Sequence, residues 1–153
     1  MSRLQLALNV TDIEAAVDFY TKLFDTPPRK RQPGYANFAI ADPPLKLVLF
    51  ENPTAEGGSI NHLGVEVDTT DEVGTAIARF ETAELPTEVQ EHTDCCYALQ
   101  DKVWTHGPDD ERWEFYVVLA DTDVQQPSTT CCLPSGTPAE VAGSAASGAV
   151  CCG

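Results

Sequence analysis

The sequence has few basic residues. Nine Lys and Arg residues against 24 Asp and Glu give a formal net charge of -15. A surface this acidic repels phosphate backbones and anionic lipid headgroups, so we expect no nucleic acid and no membrane partner. The sequence also lacks any apolar run of about 18 residues, and no basic segment followed by an apolar one opens it. We therefore expect a cytoplasmic protein.

Large apolar residues are scarce in the last part of the chain, where Ser, Thr, Ala, Gly and Pro dominate. Such a segment buries too little apolar surface to offset the entropy lost on ordering. The whole length of 153 residues is in the range of one domain. We expect one folded domain over residues 1–120 and a flexible tail over residues 121–153.

No cysteine of this sequence stands alone. The six cysteines form three adjacent pairs, Cys95-Cys96, Cys131-Cys132 and Cys151-Cys152. A disulfide between neighbours strains the geometry that such bonds prefer, whereas two adjacent thiolates suit one soft, thiophilic atom. In a reducing compartment the pairs therefore favour metal or metalloid capture over a disulfide framework.

The first half of the domain reads as a strand, a helix and two strands. Apolar residues alternate from Leu4 to Val10, which predicts a strand with one apolar face. Thr11 and Glu14 have the spacing of a capping box and precede apolar residues at helical spacing. Two further strands are predicted at residues 35–41 and 45–51.

The second half repeats this order. A strand is predicted over residues 60–67, Thr69 and Glu72 form a second capping box before a helix, and strands follow at residues 88–92, 95–100 and 113–119. An offset of 57 residues superposes the first strands and places Gln5 over His62. We interpret the halves, about 1–56 and 57–120, as two modules related by a pseudo-twofold axis. Chance similarity between two ordinary strand-helix units is the alternative.

The strand faces indicate which side chains would line a cavity between the modules. The large aliphatic residues of each first strand share one face, which we expect to pack under the helix. The opposite faces carry small or polar residues: Gln5, Ala7, Asn9, His62, Gly64 and Glu66. We expect these faces to line a concave cavity where the modules meet.

A lone carboxylate, Glu114, lies among aromatic and β-branched residues in the last predicted strand. A carboxylate in such a setting needs a cation or strong hydrogen-bond donors to offset its desolvation. With Gln5 and His62 it would supply an oxygen and nitrogen donor set of the kind that holds divalent iron with open coordination positions. The alternatives are an ion pair of Glu114 with Arg112 or Lys102, and ordinary hydrogen-bonding roles for the other two residues.

Two further histidines, His92 and His106, are rival ligands that we interpret as surface residues. The segment of residues 102–112 is long for a turn and lies between Cys95-Cys96 and Glu114. It is predicted either to be an ordinary exposed loop or to close over a bound ligand as a lid. The lid interpretation names Lys102, Trp104 and Gly107.

Five stretches carry a resemblance to a known family. They are Ser2 to Leu8, Pro33 to Ile40, Pro43 to Leu49, Asn61 to Val67 and Cys95 to Trp104. They are similar to the organoarsenical carbon-arsenic lyases and the related cadmium-induced proteins of the vicinal oxygen chelate superfamily. The resemblance covers about residues 1–120. It implies an α+β fold in which two βαβββ-type modules form an open half-barrel around a metal.

The resemblance also implies a site and a reaction. Gln5, His62 and Glu114 would hold a non-haem Fe(II), and Cys95 and Cys96 would bind trivalent arsenic. The reaction would be the oxygen-dependent cleavage of the carbon-arsenic bond of a small organoarsenical, methylarsenite or an aromatic arsenical, to arsenite. Proteins of the superfamily often form dimers, so a homodimer is part of this expectation. Four cysteines of the tail would be accessory thiols: Cys131, Cys132, Cys151 and Cys152.

Two other functions compete with this one. A protein that sequesters cadmium or arsenite without catalysis would explain the cysteine pairs but leaves Gln5, His62 and Glu114 without a role. A metalloenzyme of the glyoxalase or fosfomycin-resistance kind would use those three residues but leaves the cysteines unexplained. Release of arsenite from an organoarsenical would distinguish the lyase from both alternatives.

Overall fold

The computed structural model describes residues 1–123, which form eight strands and two helices. In chain order they are β1 (Arg3–Val10), α1 (Ile13–Phe24), β2 (Lys30–Gln32), β3 (Tyr35–Ile40), β4 (Leu45–Glu51), β5 (Ile60–Glu66), α2 (Thr70–Thr82), β6 (Glu88–Cys95), β7 (Ala98–His106) and β8 (Arg112–Asp121). The predicted flexible tail, apart from its first residues 121–123, lies outside the described residues, as do the four accessory cysteines.

The strands form one curled sheet that is open on one side, with the order β2-β3-β4-β1-β5-β8-β7-β6. In the first module β1 pairs parallel with β4, and in the second β5 pairs parallel with β8. At the centre β1 and β5 pair antiparallel. Each module is therefore a strand, a helix and three strands, so the predicted α+β fold with two modules in a half-barrel is confirmed.

Each helix covers the outer face of its own module. Ile13 and Val17 of α1 pack against Leu8, Phe38 and Leu47 of the sheet. This is the apolar face predicted from the alternation in β1. The equivalent cluster under α2 contains Val73, Ala76, Phe80, Val103 and Val117. Neither helix among the described residues is long and apolar enough to cross a membrane.

The helix starts show one correct and one wrong prediction. Thr69 caps α2 in the predicted capping box with Glu72. The N-cap of α1 is Asp12 and not Thr11, because the Asp12 carboxylate accepts a hydrogen bond of 3.0 Å from a backbone amide of the first turn. Glu14, predicted to complete that box, instead forms an ion pair with an arginine of β2.

The predicted strand over residues 95–100 is wrong at its start. Strand β6 ends at Cys95, which pairs with Ala98 at the beginning of β7. Between them Cys96 and Tyr97 have φ angles of 54° and 63°. Two successive residues with positive φ form the tight turn that matches the twist of a hairpin. The cysteine pair therefore lies at a hairpin tip, which we call the thiol turn (residues 95–98).

The predicted loop over residues 102–112 is also wrong in its extent. Strand β7 continues to His106, so the loop is only residues 107–111. Lys102 and Trp104, two of the three residues named for a lid, are buried within β7. They pair with Tyr116 and Glu114 of β8, and this ladder of backbone pairs keeps the segment extended as far as His106.

Candidate metal and thiol site

Three neighbouring strands bring Gln5, His62 and Glu114 together. Gln5 lies on β1, His62 on β5 and Glu114 on β8, and all three side chains are buried. The Gln5 Nε2 atom lies 2.6 Å from Glu114 Oε1 and 3.0 Å from His62 Nε2. His62 Nε2 lies 3.2 Å from the same Glu114 oxygen. The three side chains thus converge on one point of the concave face.

Gly64 makes this approach sterically feasible. Its β5 position pairs with Gln5 on one side and Glu114 on the other. A Cβ atom at residue 64 would lie 2.9 Å from Glu114 Cγ, closer than such atoms pack, and 3.4 Å from Gln5 Cβ. Gly64, two residues after His62 and on the same strand face, therefore leaves the space that the Glu114 side chain occupies.

Glu114 has a buried cation as a second neighbour. Lys102 Nζ lies 3.0 Å from Glu114 Oε2, and the exposed fraction of Lys102 is only 1%. Burial opposes ionisation of Glu114, but the charge and the hydrogen bond of Lys102 outweigh it and hold the pKa of the carboxyl well below its ordinary value. Of the two ion-pair partners raised from the sequence, the structure selects Lys102, while Oε1 still faces Gln5 and His62.

A chain of amides orients His62. Its Nδ1 lies 2.7 Å from the Oδ1 of Asn61, an atom that can only accept, so Nδ1 carries the proton. Asn61 in turn donates to Asn9 at 3.0 Å, and Asn9 donates to Ser59 at 3.1 Å. The lone pair of His62 Nε2 therefore points at Gln5 and Glu114, as in histidine ligands whose second nitrogen is fixed by a partner.

The donor set fits a divalent cation. Bonds of about 2.1 Å to a metal place neighbouring donors about 3 Å apart in octahedral geometry, close to the separations given above. In the structure the Gln5 amide directs its nitrogen to this point, while its oxygen accepts from the Tyr116 hydroxyl. Because amide nitrogen and oxygen have nearly the same size, a turn of the amide would present the oxygen. No group of three or more His, Cys, Asp and Glu residues within positions 1–123 is placed to hold a metal ion, and this set depends on Gln5 as its third member.

The thiol turn faces the same cavity. Cys95 is buried and Cys96 is half-buried, and their Sγ atoms lie 3.4 Å apart. Cys95 is disulfide-bonded in the structure, and this separation shows that Cys96 is not its partner. A cavity of about 300 Å³ is lined by Cys95 and Cys96 and by all three residues of the candidate metal set. The structure thus brings the five predicted site residues to one cavity.

Contacts with the first module and with Thr122, which follows β8, hold the thiol turn in place. The Tyr97 ring lies 5.2 Å from that of Tyr35, in an apolar cluster against which Cys96 packs. The Tyr97 carbonyl accepts hydrogen bonds from Lys30 Nζ at 2.7 Å and from the backbone amide of Thr122 at 2.9 Å. Strands β2 and β6 are the two edge strands of the sheet, so the contact of Lys30 with Tyr97 spans the open side of the half-barrel.

The rival ligands and the remaining lid residue lie elsewhere. His92 is exposed beside Asp101, and His106 faces Asp110 at the end of β7. Neither lines the cavity. Gly107 lies in the short loop after β7 and donates its backbone amide to Glu111 at 2.9 Å.

Several polar residues that support the site were not predicted from the sequence. Tyr116 and Asn61 lie in predicted strands, where polar side chains usually face solvent, and Lys30 lies in β2, which was not predicted. Their signal was position, since Tyr116 follows Glu114 by two residues and so shares its strand face. Gln100 was also missed: its Nε2 donates to the Cys95 carbonyl at 3.2 Å, while its buried Oε1 has no hydrogen-bond partner among the described residues.

Comparisons with known proteins agree with this architecture. The profile of the Glyoxalase/Bleomycin resistance protein/Dioxygenase superfamily matches residues 3–115. Among solved structures, methylmalonyl-CoA epimerase from Mycobacterium tuberculosis has a TM-score of 0.55 at 15% identity, over 74% of this chain and 85% of that one. A homoprotocatechuate 2,3-dioxygenase from Brevibacterium fuscum has a TM-score of 0.57 at 17% identity, over 78% of this chain and 33% of that one. Identities this low show a common fold.

Two curated relatives are much more similar. The cadmium-induced protein CadI of Mycobacterium tuberculosis is 63% identical over 123 residues, 80% of each chain. A trivalent organoarsenical cleaving enzyme of Thermomonospora curvata is 50% identical over 154 residues, 99% of this chain and 100% of that one. The resemblance found in the sequence is therefore confirmed, and the chain belongs to the Glyoxalase/Bleomycin resistance protein/Dioxygenase superfamily.

Proposed function

We propose that the protein is an Fe(II)-dependent dioxygenase that cleaves the carbon-arsenic bond of trivalent organoarsenicals, with methylarsenite as the simplest substrate. The observation that carries this proposal is the single cavity lined by both Gln5, His62, Glu114 and the pair Cys95, Cys96. Relatives named as organoarsenical cleaving enzymes support it. A sequestration protein would need the thiols but not the buried oxygen and nitrogen donors beside them.

Gln5, His62 and Glu114 would hold the metal. Ferrous iron bound there would supply the activation of dioxygen, and the three protein donors leave coordination positions open for it. The charge of Lys102 favours the ionised form of Glu114. The carboxylate can therefore neutralise part of the charge of a bound metal ion without first losing a proton. Asn61 holds the His62 ring in the tautomer that a metal requires.

Cys95 and Cys96 would present the substrate. Methylarsenite has two exchangeable hydroxyl groups, and two thiols replace them with release of two waters. The Sγ separation of 3.4 Å can be spanned by one atom bonded to both sulfurs. The arsenic-bound carbon is then held within the same cavity as the three metal-binding side chains, which converts an encounter in solution into an oriented one.

The reaction balances without a further reductant. Methylarsenite and one dioxygen give arsenite and formaldehyde: the carbon-arsenic bond breaks, one oxygen atom goes to arsenic as hydroxyl and the other to carbon. The methyl carbon is oxidised and dioxygen is fully reduced. Both Cys95 and Cys96 must be thiols for substrate binding, so the disulfide of Cys95 has to be reduced first.

The test uses reduced protein prepared without oxygen, loaded with ferrous iron, mixed with methylarsenite and then exposed to air. We expect arsenite to appear only when iron and oxygen are both present, and to be lost in Cys95→Ser and Glu114→Ala variants. Tight binding of methylarsenite without arsenite release would support sequestration instead. Cleavage that persists in both variants would contradict the site proposed here.

A further inference from the structure

The cavity is basic, although the protein is strongly acidic. Five of the nine Lys and Arg residues in the chain line it: Arg3, Arg29, Lys30, Lys46 and Lys102. Of the 24 Asp and Glu residues, those among its described lining are Glu66, Glu114 and Asp121. Five cations against three carboxylates leave a surplus of two positive charges. Basic residues concentrated in this way are not expected of a wall that only encloses a neutral substrate.

Part of this surplus positive charge comes from Arg3 and Lys46, which share one carboxylate in the cavity wall. Glu66 receives Arg3 on one oxygen and Lys46 on the other, each at 2.9 Å. Both cations are mostly buried, with exposed side-chain fractions of 21% and 13%. Burial opposes the ionisation of Glu66, but Lys46 and its other donors outweigh this and lower the pKa of the carboxyl. One carboxylate therefore forms ion pairs with two cations, and a net positive charge remains at the cavity wall.

The distant acidic surface does not cancel this charge. Charges separated by more than the Debye length, about 8 Å at physiological ionic strength, are largely screened in solvent. Charges in a cleft with low-dielectric walls act on a ligand inside it with less screening. A ligand within the cavity therefore experiences the five nearby cations more strongly than the carboxylates of the outer surface.

The cavity also has room for more than a methyl group. Its volume of about 300 Å³ is roughly ten times the share of one water molecule in the liquid. Aromatic side chains form part of its wall, namely Tyr35, Phe38, Phe50 and Trp104. Space, apolar walls and positive charge together fit a carbon substituent that ends in an anionic group.

We propose that the cavity selects trivalent organoarsenicals whose carbon substituent carries an anionic group, a carboxylate being the simplest case. This inference rests on the proposed carbon-arsenic cleavage and names its substrate class. The arsenic would be held by Cys95 and Cys96, while the anionic end would lie among the cations of the cavity wall. The reaction keeps the balance given for methylarsenite, since 2-carboxyethylarsenite and dioxygen give arsenite and the aldehyde that retains the carboxylate.

The cations could also act on the site itself by stabilising the two thiolates. That role would favour every trivalent organoarsenical equally, because each one binds the same two sulfurs. The two roles therefore differ in one quantity, the ratio between an anionic substrate and a neutral substrate of the same shape.

The experiment compares 2-carboxyethylarsenite with its carboxamide, which has almost the same shape and no charge. An uncharged thiol serves as the reductant, so that it does not compete for the cations. Binding to the reduced, iron-free protein is followed by tryptophan fluorescence, since Trp104 lines the cavity, and turnover of the iron-loaded protein by arsenite release. We expect the carboxylate to bind about tenfold more tightly than the amide, the contribution of one good charge-assisted contact.

Neighbouring arginines provide a matched pair of variants. Arg29 lines the cavity, whereas Arg31, two residues further along, pairs with Glu14 outside it. We expect Arg29→Gln and Lys46→Gln to lower the carboxylate preference severalfold, and Arg31→Gln to leave it unchanged. Affinity for the amide should stay close to that of the unmodified protein in all three variants.

Three results would overturn the inference. They are equal affinity for carboxylate and amide in the unmodified protein, equal losses for both ligands in Arg29→Gln and Lys46→Gln, and an Arg31→Gln effect as large as that of Arg29→Gln. A protein that prefers the carboxylate in binding but releases arsenite from neither ligand nor from methylarsenite would contradict the proposed cleavage and leave the selectivity standing.

Discussion

The orientation of one amide, that of Gln5, links the structure to metal binding. Its nitrogen donates to Glu114 and faces the lone pair of His62, so the amide occupies the place that a cation would take between them. Its oxygen accepts from Tyr116, whose hydroxyl also lies 2.8 Å from Glu66. Burial and the charges of Glu114 and Glu66 raise the pKa of Tyr116, so its hydroxyl remains a donor.

The Tyr116 hydroxyl should therefore help to turn the amide. When the Tyr116 hydroxyl donates its hydrogen bond to Glu66, its oxygen can accept a hydrogen bond from the Gln5 amide nitrogen. The amide oxygen then faces His62 and Glu114. We predict that Tyr116→Phe lowers the affinity for Co(II), a redox-stable substitute for Fe(II), by about tenfold. Competition with a coloured chelator measures this affinity, and Tyr20→Phe on helix α1 is the control. An unchanged affinity in Tyr116→Phe would show that the hydroxyl does not orient the ligand.

Variants of the ion pair between Glu114 and Lys102 can distinguish the effect of Glu114 on metal binding from its effect on stability. Removing one partner leaves the other charge buried without its counter-ion, so we predict that Glu114→Gln lowers the free energy of unfolding by about 3–5 kcal/mol. It should also abolish Co(II) binding. In the double variant Lys102→Met with Glu114→Gln, stability should largely return while Co(II) binding stays lost. Urea unfolding and metal titration measure the two effects, and a double variant that binds Co(II) normally would exclude Glu114 as a ligand.

At the level of the strand, β5 provides both a donor and the space for its neighbour. His62 and Gly64 share one face of this strand, with Gly64 directly against Glu114. We predict that Gly64→Ala displaces the Glu114 side chain, lowers the free energy of unfolding by about 1–3 kcal/mol and weakens Co(II) binding.

Gly74 offers a matched control for this substitution. It lies in helix α2, and a Cβ atom there would meet no other atom within 4 Å. Gly74→Ala should therefore stabilise the protein by up to about 1 kcal/mol, because alanine is the better helix former, and leave Co(II) binding unchanged. Equal metal affinities in the two alanine variants would contradict the steric role of Gly64.

The thiol turn depends on a contact from another strand. Lys30 of β2 donates to the Tyr97 carbonyl and pairs with Asp121 at 2.8 Å. We predict that Lys30→Met loosens the turn and weakens methylarsenite binding severalfold, while Co(II) affinity stays unchanged because Lys30 contacts none of the three candidate ligands. Lys22→Met, on the exposed face of α1, removes the same charge without touching the turn. Parallel losses of both affinities in Lys30→Met would indicate a general loss of structure instead.

The sequence predicted the elements that have a clear period. Alternation in β1 and β5 assigned Gln5 and His62 to the cavity face, and the capping box of Thr69 located α2. It did not predict β2, which has only three residues and no room for a pattern. It also missed the turn at Cys96 and Tyr97, because neither residue is the Gly or Asn that usually signals positive φ.

Lys102 shows why part of the site was left open by the sequence, which offered this residue both as an ion-pair partner of Glu114 and as a residue of a long loop. A lysine near Gly and Pro reads as a loop residue, because burial of its charge is costly unless a carboxylate lies close by. That carboxylate, Glu114, lies on the adjacent strand, and the pairing of β7 with β8 that brings them together is a property of the sheet. The chain of Asn61, Asn9 and Ser59 behind His62 likewise depends on contacts between distant positions.

In the whole molecule the two modules have the same topology but different roles. The first contributes Gln5 and the contacts of Lys30 and Tyr35 with the thiol turn, whereas the second contributes His62, Glu114 and both thiols. The antiparallel pairing of β1 with β5 places Gln5 opposite Gly64, and Ala7 opposite His62. A single small residue thus lies across from each donor of the central pair, so the two modules can approach closely enough to share one site.

The boundary of the folded domain, predicted at residue 120, can be tested by truncation. Asp121 and the Thr122 amide both contribute to holding the thiol turn. We predict that a chain ending at Asp123 cleaves methylarsenite normally at saturating concentration, while the loss of Cys131, Cys132, Cys151 and Cys152 slows cleavage only at low substrate, if these thiols collect arsenicals for the cavity. A chain ending at residue 120 should bind methylarsenite severalfold more weakly, because the turn loses two contacts. Arsenite release at high and low substrate measures the first effect and fluorescence titration the second.

Complete loss of turnover in the chain ending at Asp123 would show that the tail takes part in the reaction itself. Equal behaviour of the two truncations would show that the contacts of Asp121 and Thr122 do not position the thiols.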